Sequence, residues 1–159
     1  MWSALAGLAL FASTEFAPGF YATWYSILNA TGFALILPIL ASLHVRHALV
    51  RQSGAVLGTI AGTCLVVIGL TQAPDTAPAM LAARAVWWWT IGKMWVETNV
   101  LSRTFGWITM LGAVVFPVVA GIAALGGRSD SSPDLALRLT FSAWLLALSV
   151  FLWPRRPVA

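Results

Sequence analysis

Arg84, Lys93 and Glu97 stand inside a run of apolar and aromatic residues, Arg84-Ala-Val-Trp87-Trp88-Trp89-Thr-Ile-Gly92-Lys93-Met-Trp95-Val-Glu97. Charges embedded in an apolar helix point to a functional site, because leaving water is costly for them. At about 100° per residue the run sorts into two stripes. Arg84, Trp88 and Trp95 share one, while Trp89, Lys93 and Glu97 share the other, roughly opposite. Each stripe can set a cation over an indole face, worth about 0.5 to 2 kcal/mol. Lys93 and Glu97 can also pair, which lowers the cost of burying either. These six residues are the candidate ligand-binding set, suited to a polar headgroup or a small amphiphile. A simpler reading stands beside it: Arg84 snorkels to one interface, Lys93 and Glu97 lie close to the other, and the indoles pack or anchor the helix.

His44 and His47 lie three apart and share one helical face. Two histidines and the lone Cys64 do not make up a tetrahedral metal site. One imidazole suffices as an axial ligand for a chlorophyll-type magnesium, so a pigment or a bound lipid stands as the alternative to having no cofactor. Gly54, Gly58 and Gly62 form two overlapping G-x-x-x-G units, which allow another helix to approach closely inside a membrane. That helix can belong to the same chain or to another subunit. The chain has no G-x-S-x-G, H-E-x-x-H, Walker A or dinucleotide-binding glycine pattern. No carboxylate falls at the middle of an apolar segment, so the usual relay group of a proton or sodium carrier is missing.

The elements that position these residues follow from composition. Of 159 residues, 60% are hydrophobic and 9% charged, against about 25% charged in a soluble domain. The mean hydropathy is +0.87. Such a chain is an integral membrane protein. Its net charge of +4 comes from scattered single Lys and Arg residues, which gives no nucleic-acid footprint. The apolar start, Trp2 to Ala12, has no basic residue ahead of it and reads as an uncleaved first helix or a truncated start rather than a signal peptide.

A span needs roughly 20 mostly apolar residues. Segments 20–43, 54–72, 104–125 and 135–153 satisfy or approach this, whereas 2–16 is short and 80–98 carries the three charges. If 80–98 crosses, Arg46, Arg51, Arg103, Arg155 and Arg156 fall on one side, opposite Glu15, Asp75, Asp130 and Asp134. Basic residues gather in short cytoplasmic loops, so this arrangement is favoured. Arg128 is the exception on the acidic side, and Arg138 lies near the start of the last segment. The expectation is a single-domain, all-α, up-and-down bundle of six transmembrane helices with both termini cytoplasmic, or five if the first segment does not cross. Turns are expected at 72–75 and 126–133. Pro38 and Pro117 should loosen their helices, and Asn29 and Thr31 can bond across to a neighbour.

The run Trp87 to Trp107 resembles a pattern in small uncharacterised bacterial multi-pass membrane proteins, where an aromatic helix leads through a Gly-Val-Leu-Pro-Arg-like turn into a helix opening Gly-Trp. Val100, Leu101, Arg103, Gly106 and Trp107 match, with Asn99 in place of the Gly and Ser102 in place of the Pro. The resemblance implies the fold and orientation but no activity, and the high Ala, Gly, Arg and Trp content is compatible with a bacterial inner membrane. Together these features suggest a non-enzymatic accessory or structural subunit that contacts the bilayer and other membrane subunits or copies of itself. The alternatives are a carrier or membrane enzyme for a lipid-like molecule, using the Trp-rich helix, and a pigment-binding subunit.

Overall fold

The computed structural model describes residues 1–15, 22–71, 76–125 and 132–152. The expected turn at 72–75 and residues 126–131 of the one expected at 126–133 lie outside the described residues, as do Asp75, Arg128, Asp130, Trp153, Arg155 and Arg156 and the side chains of Glu15 and Asp134, while Ser132 and Pro133 already belong to the last helix.

The helices are α1 (Trp2–Glu15), α2 (Ala22–Ala34), α3 (Ile36–Ala48), α4 (Gln52–Thr71), α5 (Ala77–Thr98), α6 (Arg103–Leu125) and α7 (Ser132–Leu152), with no strand among the described residues. α2 and α3 are two halves of one apolar rod, Thr23–Ala48, interrupted only at Leu35. The cause of the break is Pro38, which has no N–H to give to the carbonyl four residues back and whose ring crowds that carbonyl. Pro117, by contrast, sits inside an unbroken α6. The rod runs to Ala48 rather than ending near residue 43, so His44 and His47 are helical.

Thr23–Ala48, Gln52–Thr71, Arg103–Ile122 and Leu135–Leu152 are long and apolar enough to cross a membrane, and Trp2–Thr14 is a shorter apolar helix. α5 is equally long but carries Arg84, Lys93 and Glu97. Helices consecutive in the chain pack side by side: α1 on α2, α3 on α4, α4 on α5 and α5 on α6, while α7 closes back onto α1. α6 and α7 meet chiefly through large side chains, Phe105 stacking on Trp144 at 6.0 Å and on Phe151 at 4.7 Å.

Two caps shape the sharp α5–α6 corner. Asn99 takes the left-handed conformation, φ 54°, and its N–H donates to Trp95 O at 3.1 Å. Glycine and asparagine are the residues that tolerate this helix-ending position. Ser102 Oγ accepts from Phe105 N–H at 3.4 Å, a long N-cap contact at the start of α6. Both departures from the Gly-Val-Leu-Pro-Arg pattern are therefore residues suited to ending or starting a helix. Beyond the corner, α5 and α6 approach until a Cβ on Gly92 would lie 2.8 Å from Gly106 O, and one on Gly106 would lie 2.8 Å from Gly92 O.

Polarity is distributed as a membrane requires. Large apolar side chains are exposed along α6, among them Ile108, Leu111, Val118 and Ile122, whereas Ser13, Thr90, Thr109 and Ser142 are buried. Each of these hydroxyls donates to a carbonyl three or four residues back in its own helix, at 2.7 to 2.9 Å. Polar groups satisfied within the protein and apolar groups turned outward suit a bilayer.

Candidate functional site

α5 is the chemical centre of the bundle because its buried face carries three tryptophans. Trp87, Trp88 and Trp95 are all buried. Trp144 of α7 touches all three, with ring centroids 5.4 Å from Trp87, 5.1 Å from Trp88 and 6.3 Å from Trp95. Phe141 lies 6.4 Å from Trp87 and 6.0 Å from Trp88, and Phe105 of α6 stacks on Trp95 at 5.4 Å. Rings in this range gain about 0.5 to 1.5 kcal/mol per pair beyond the area they bury.

Two indoles of this cluster are tied by their N–H. Trp144 Nε1 donates to Thr109 Oγ1 at 2.9 Å, and Trp95 Nε1 donates to His47 Nε2 at 2.8 Å. An indole nitrogen can only donate, so His47 Nε2 is the acceptor and the ring's proton sits on Nδ1. The other two, Trp87 Nε1 and Trp88 Nε1, are buried without a hydrogen-bond partner among the described residues.

His44 points elsewhere. Its Nδ1 lies 2.8 Å from Thr59 Oγ1, whose own proton goes to Ala55 O at 2.8 Å, so the imidazole is the donor in this contact. His44, His47, Thr59 and Trp87 line a small niche between α3, α4 and α5. It is suited to a body the size of one water, far from the roughly 300–1,000 Å³ of a ligand cleft. His47 therefore spends Nε2 on Trp95 in a packed surrounding with no room for a macrocycle. No group of three or more metal-ligating side chains occurs among the described residues.

The six residues of the Trp-rich helix separate. Arg84 is 7% exposed, with its guanidinium carbon 5.9 Å from the Trp88 ring, 5.9 Å from Phe116 and 5.5 Å from Phe141. Its Nη1 donates to Leu137 O at 3.3 Å. Trp89, Lys93 and Glu97 lie on the outward face, where Lys93 Nζ is 3.8 Å from Glu97 Oε1 and Arg51 closes a second ion pair on Glu97 Oε2. Among the described residues, no cation–π contact joins Lys93 to Trp89. Nine residues of helix, about 14 Å, separate Arg84 from Lys93, so one pocket does not hold both. The two stripes thus have different surroundings: one is the aromatic interior, the other an exposed ionic edge.

The glycines of α4 face inward. A Cβ on Gly54 would meet Met94 Sδ at 2.6 Å, one on Gly58 would meet Ile91 Cγ2 at 3.3 Å, and one on Gly62 would run into Leu40 and Trp87. Their close approach is used within the chain, by α5 and α3. Sequence reasoning missed the pair Arg138–Tyr25, in which Arg138 Nη1 donates to the phenol oxygen and its guanidinium lies 5.3 Å from the ring. Only Arg138's position inside an apolar segment hinted at it, and nothing in the sequence named Tyr25.

These features define an all-helical bundle with several membrane-length apolar helices around a Trp-rich aromatic cluster. The chain matches no protein-family model, no curated protein and no solved structure.

Proposed function

We propose that this chain is a non-enzymatic, multi-pass protein of a cell membrane, built of six spans with both termini cytoplasmic, and that it acts as a structural or accessory subunit of a larger membrane assembly. The observation that carries this reading is the filled interior, where indole and phenyl rings from α5, α6 and α7 occupy the space between the helices. A body filled by its own side chains offers its outer surface for interaction, and that surface is apolar along α6. The orientation is supported by the shared end of Arg46, Arg51 and Arg103, which the Arg51–Glu97 ion pair joins to the end of α5. If the short α1 does not cross, five spans remain and the N-terminus is external.

The test is purification from the native membrane in mild detergent, followed by identification of the co-purifying chains. A stable stoichiometric partner, or a defined self-assembly, is the expected result. A monodisperse monomer with nothing attached overturns the subunit reading.

A second reading, a carrier or enzyme for a small amphiphile, draws on the buried cation Arg84 under three aromatic rings. It requires Arg84→Met to abolish retention of a co-purified ligand in native mass spectrometry. Unchanged retention removes it.

A further inference from the structure

At one end of the bundle the ionic groups do not balance. The turn from α3 to α4 and the end of α5 bring Arg51 and Lys93 onto opposite oxygens of one carboxylate, Glu97. All three side chains remain substantially exposed, at 50%, 52% and 37%. Lys93 holds its oxygen loosely, at 3.8 Å. Arg46, at the end of α3, and Arg103, at the start of α6, have no ion-pair partner among the described residues. Among the described residues, four cations and one anion therefore share this end, and two of the cations already converge on an oxyanion. About one turn deeper than Lys93 on the same outward stripe, and near the middle of α5, Trp89 is 46% exposed.

We propose that this edge is a binding site for the phosphate of an anionic phospholipid, gripped by Arg51 and Lys93 with Arg46 and Arg103 contributing field, the acyl chains lying along the outward face of α5 beside Trp89. A phosphate diester is the second oxyanion that the pair of cations can share. Glu97 is its competitor: it holds the two cations together in the absence of lipid and repels the headgroup when lipid arrives. This assignment gives Glu97 a sign opposite to that of a residue merely needed for folding.

The proposal rests on the reading of the chain as membrane-embedded, and the experiment separates the two. The purified chain is reconstituted into nanodiscs of equal parts phosphatidylcholine and phosphatidylglycerol, and the lipids that stay bound on release into detergent are counted by native mass spectrometry. The expected result is enrichment of phosphatidylglycerol, lowered roughly fivefold for each cation removed in Arg51→Gln and Lys93→Gln, the factor that one basic side chain contributes at an anionic surface. Glu97→Gln should raise the enrichment by a similar factor. Equal retention of both lipids, or a fall in Glu97→Gln, overturns the proposal. Loss of the enrichment in millimolar inorganic phosphate overturns the headgroup as the source and assigns the site to free phosphate. A chain that fails to insert overturns the membrane reading and this one together.

Discussion

His47 and Trp95 pair inside the bundle, where both are buried and each satisfies the other. Removing one partner strands the other, at about 1 to 3 kcal/mol, whereas removing both leaves nothing unpaired. Trp95→Phe and His47→Phe should each destabilise by about that amount, and the double variant should cost clearly less than their sum. Reversible unfolding in mixed detergent micelles measures all three, and strict additivity would show that the 2.8 Å contact contributes no coupling. Trp87→Phe is the internal control: it removes an N–H that has no partner among the described residues, so its cost is packing alone. The residue types at this site were legible in the sequence, but their pairing was not. His44 and His47 looked like one unit at helical spacing, whereas 48 positions separate His47 from its partner. Arg84 and Trp88, four apart on one helix, were legible because a single helix sets that geometry.

α5 and α6 are held by the closest backbone approach among the described glycines, and this contact has a different tolerance from the glycine face of α4. At Gly58 an added methyl meets Ile91 Cγ2 at 3.3 Å, the tip of a side chain that can shift. At Gly92 it meets Gly106 O at 2.8 Å and Met110 N at 3.1 Å, which cannot move unless the helices part. Gly92→Ala and Gly106→Ala should therefore cost about 1 to 3 kcal/mol, in the range of overpacked cores, while Gly58→Ala stays well below that. The same unfolding assay ranks them, and equal costs would mean that the α5–α6 approach is not tight. The α4 glycines were visible in advance because G-x-x-x-G repeats within one helix. Gly92 and Gly106 stand on two different helices with no G-x-x-x-G repeat to mark them, and the Asn99 and Ser102 caps, which fold the corner, bring them together. Helix existence was legible from apolar run length for the four clear segments, and for 80–98 from the way its crossing sorts the basic and acidic residues. The break at Leu35 and the continuation through His47 depend on how one proline and one polar helix end are accommodated, which run length does not report.

As a whole the molecule places its apolar surface outside, and Cys64 offers a direct measure of what covers it. The thiol is exposed on α4, about two turns from the nearer helix end, Thr71. In a bilayer this position faces hydrocarbon, which a charged reagent does not enter. A membrane-impermeant charged maleimide should leave Cys64 unmodified in intact membranes and modify it fully after denaturation in SDS. Rapid labelling in native membranes would place α4 beside water and remove the four-span core of the topology. The same whole-molecule view explains why the candidate pocket on the Trp-rich helix divides. A helix at the centre of a bundle has an inside and an outside, so charges half a turn apart in angle go to different environments however close they stand in sequence.

Trp144 also gives the fold an optical property. Its ring lies within 5.1 to 6.3 Å of three indoles on α5, close enough for their electronic transitions to mix. Light absorbed by any one of them is shared among the four, and the fixed angles between the rings give that shared excitation a handedness. Circular dichroism in the indole bands should therefore carry a paired positive and negative signal that vanishes in Trp144→Phe. Prising α7 from α5 would erase the pair while the far-ultraviolet helix signal persisted, so the chain carries its own reporter of whether its interior is closed.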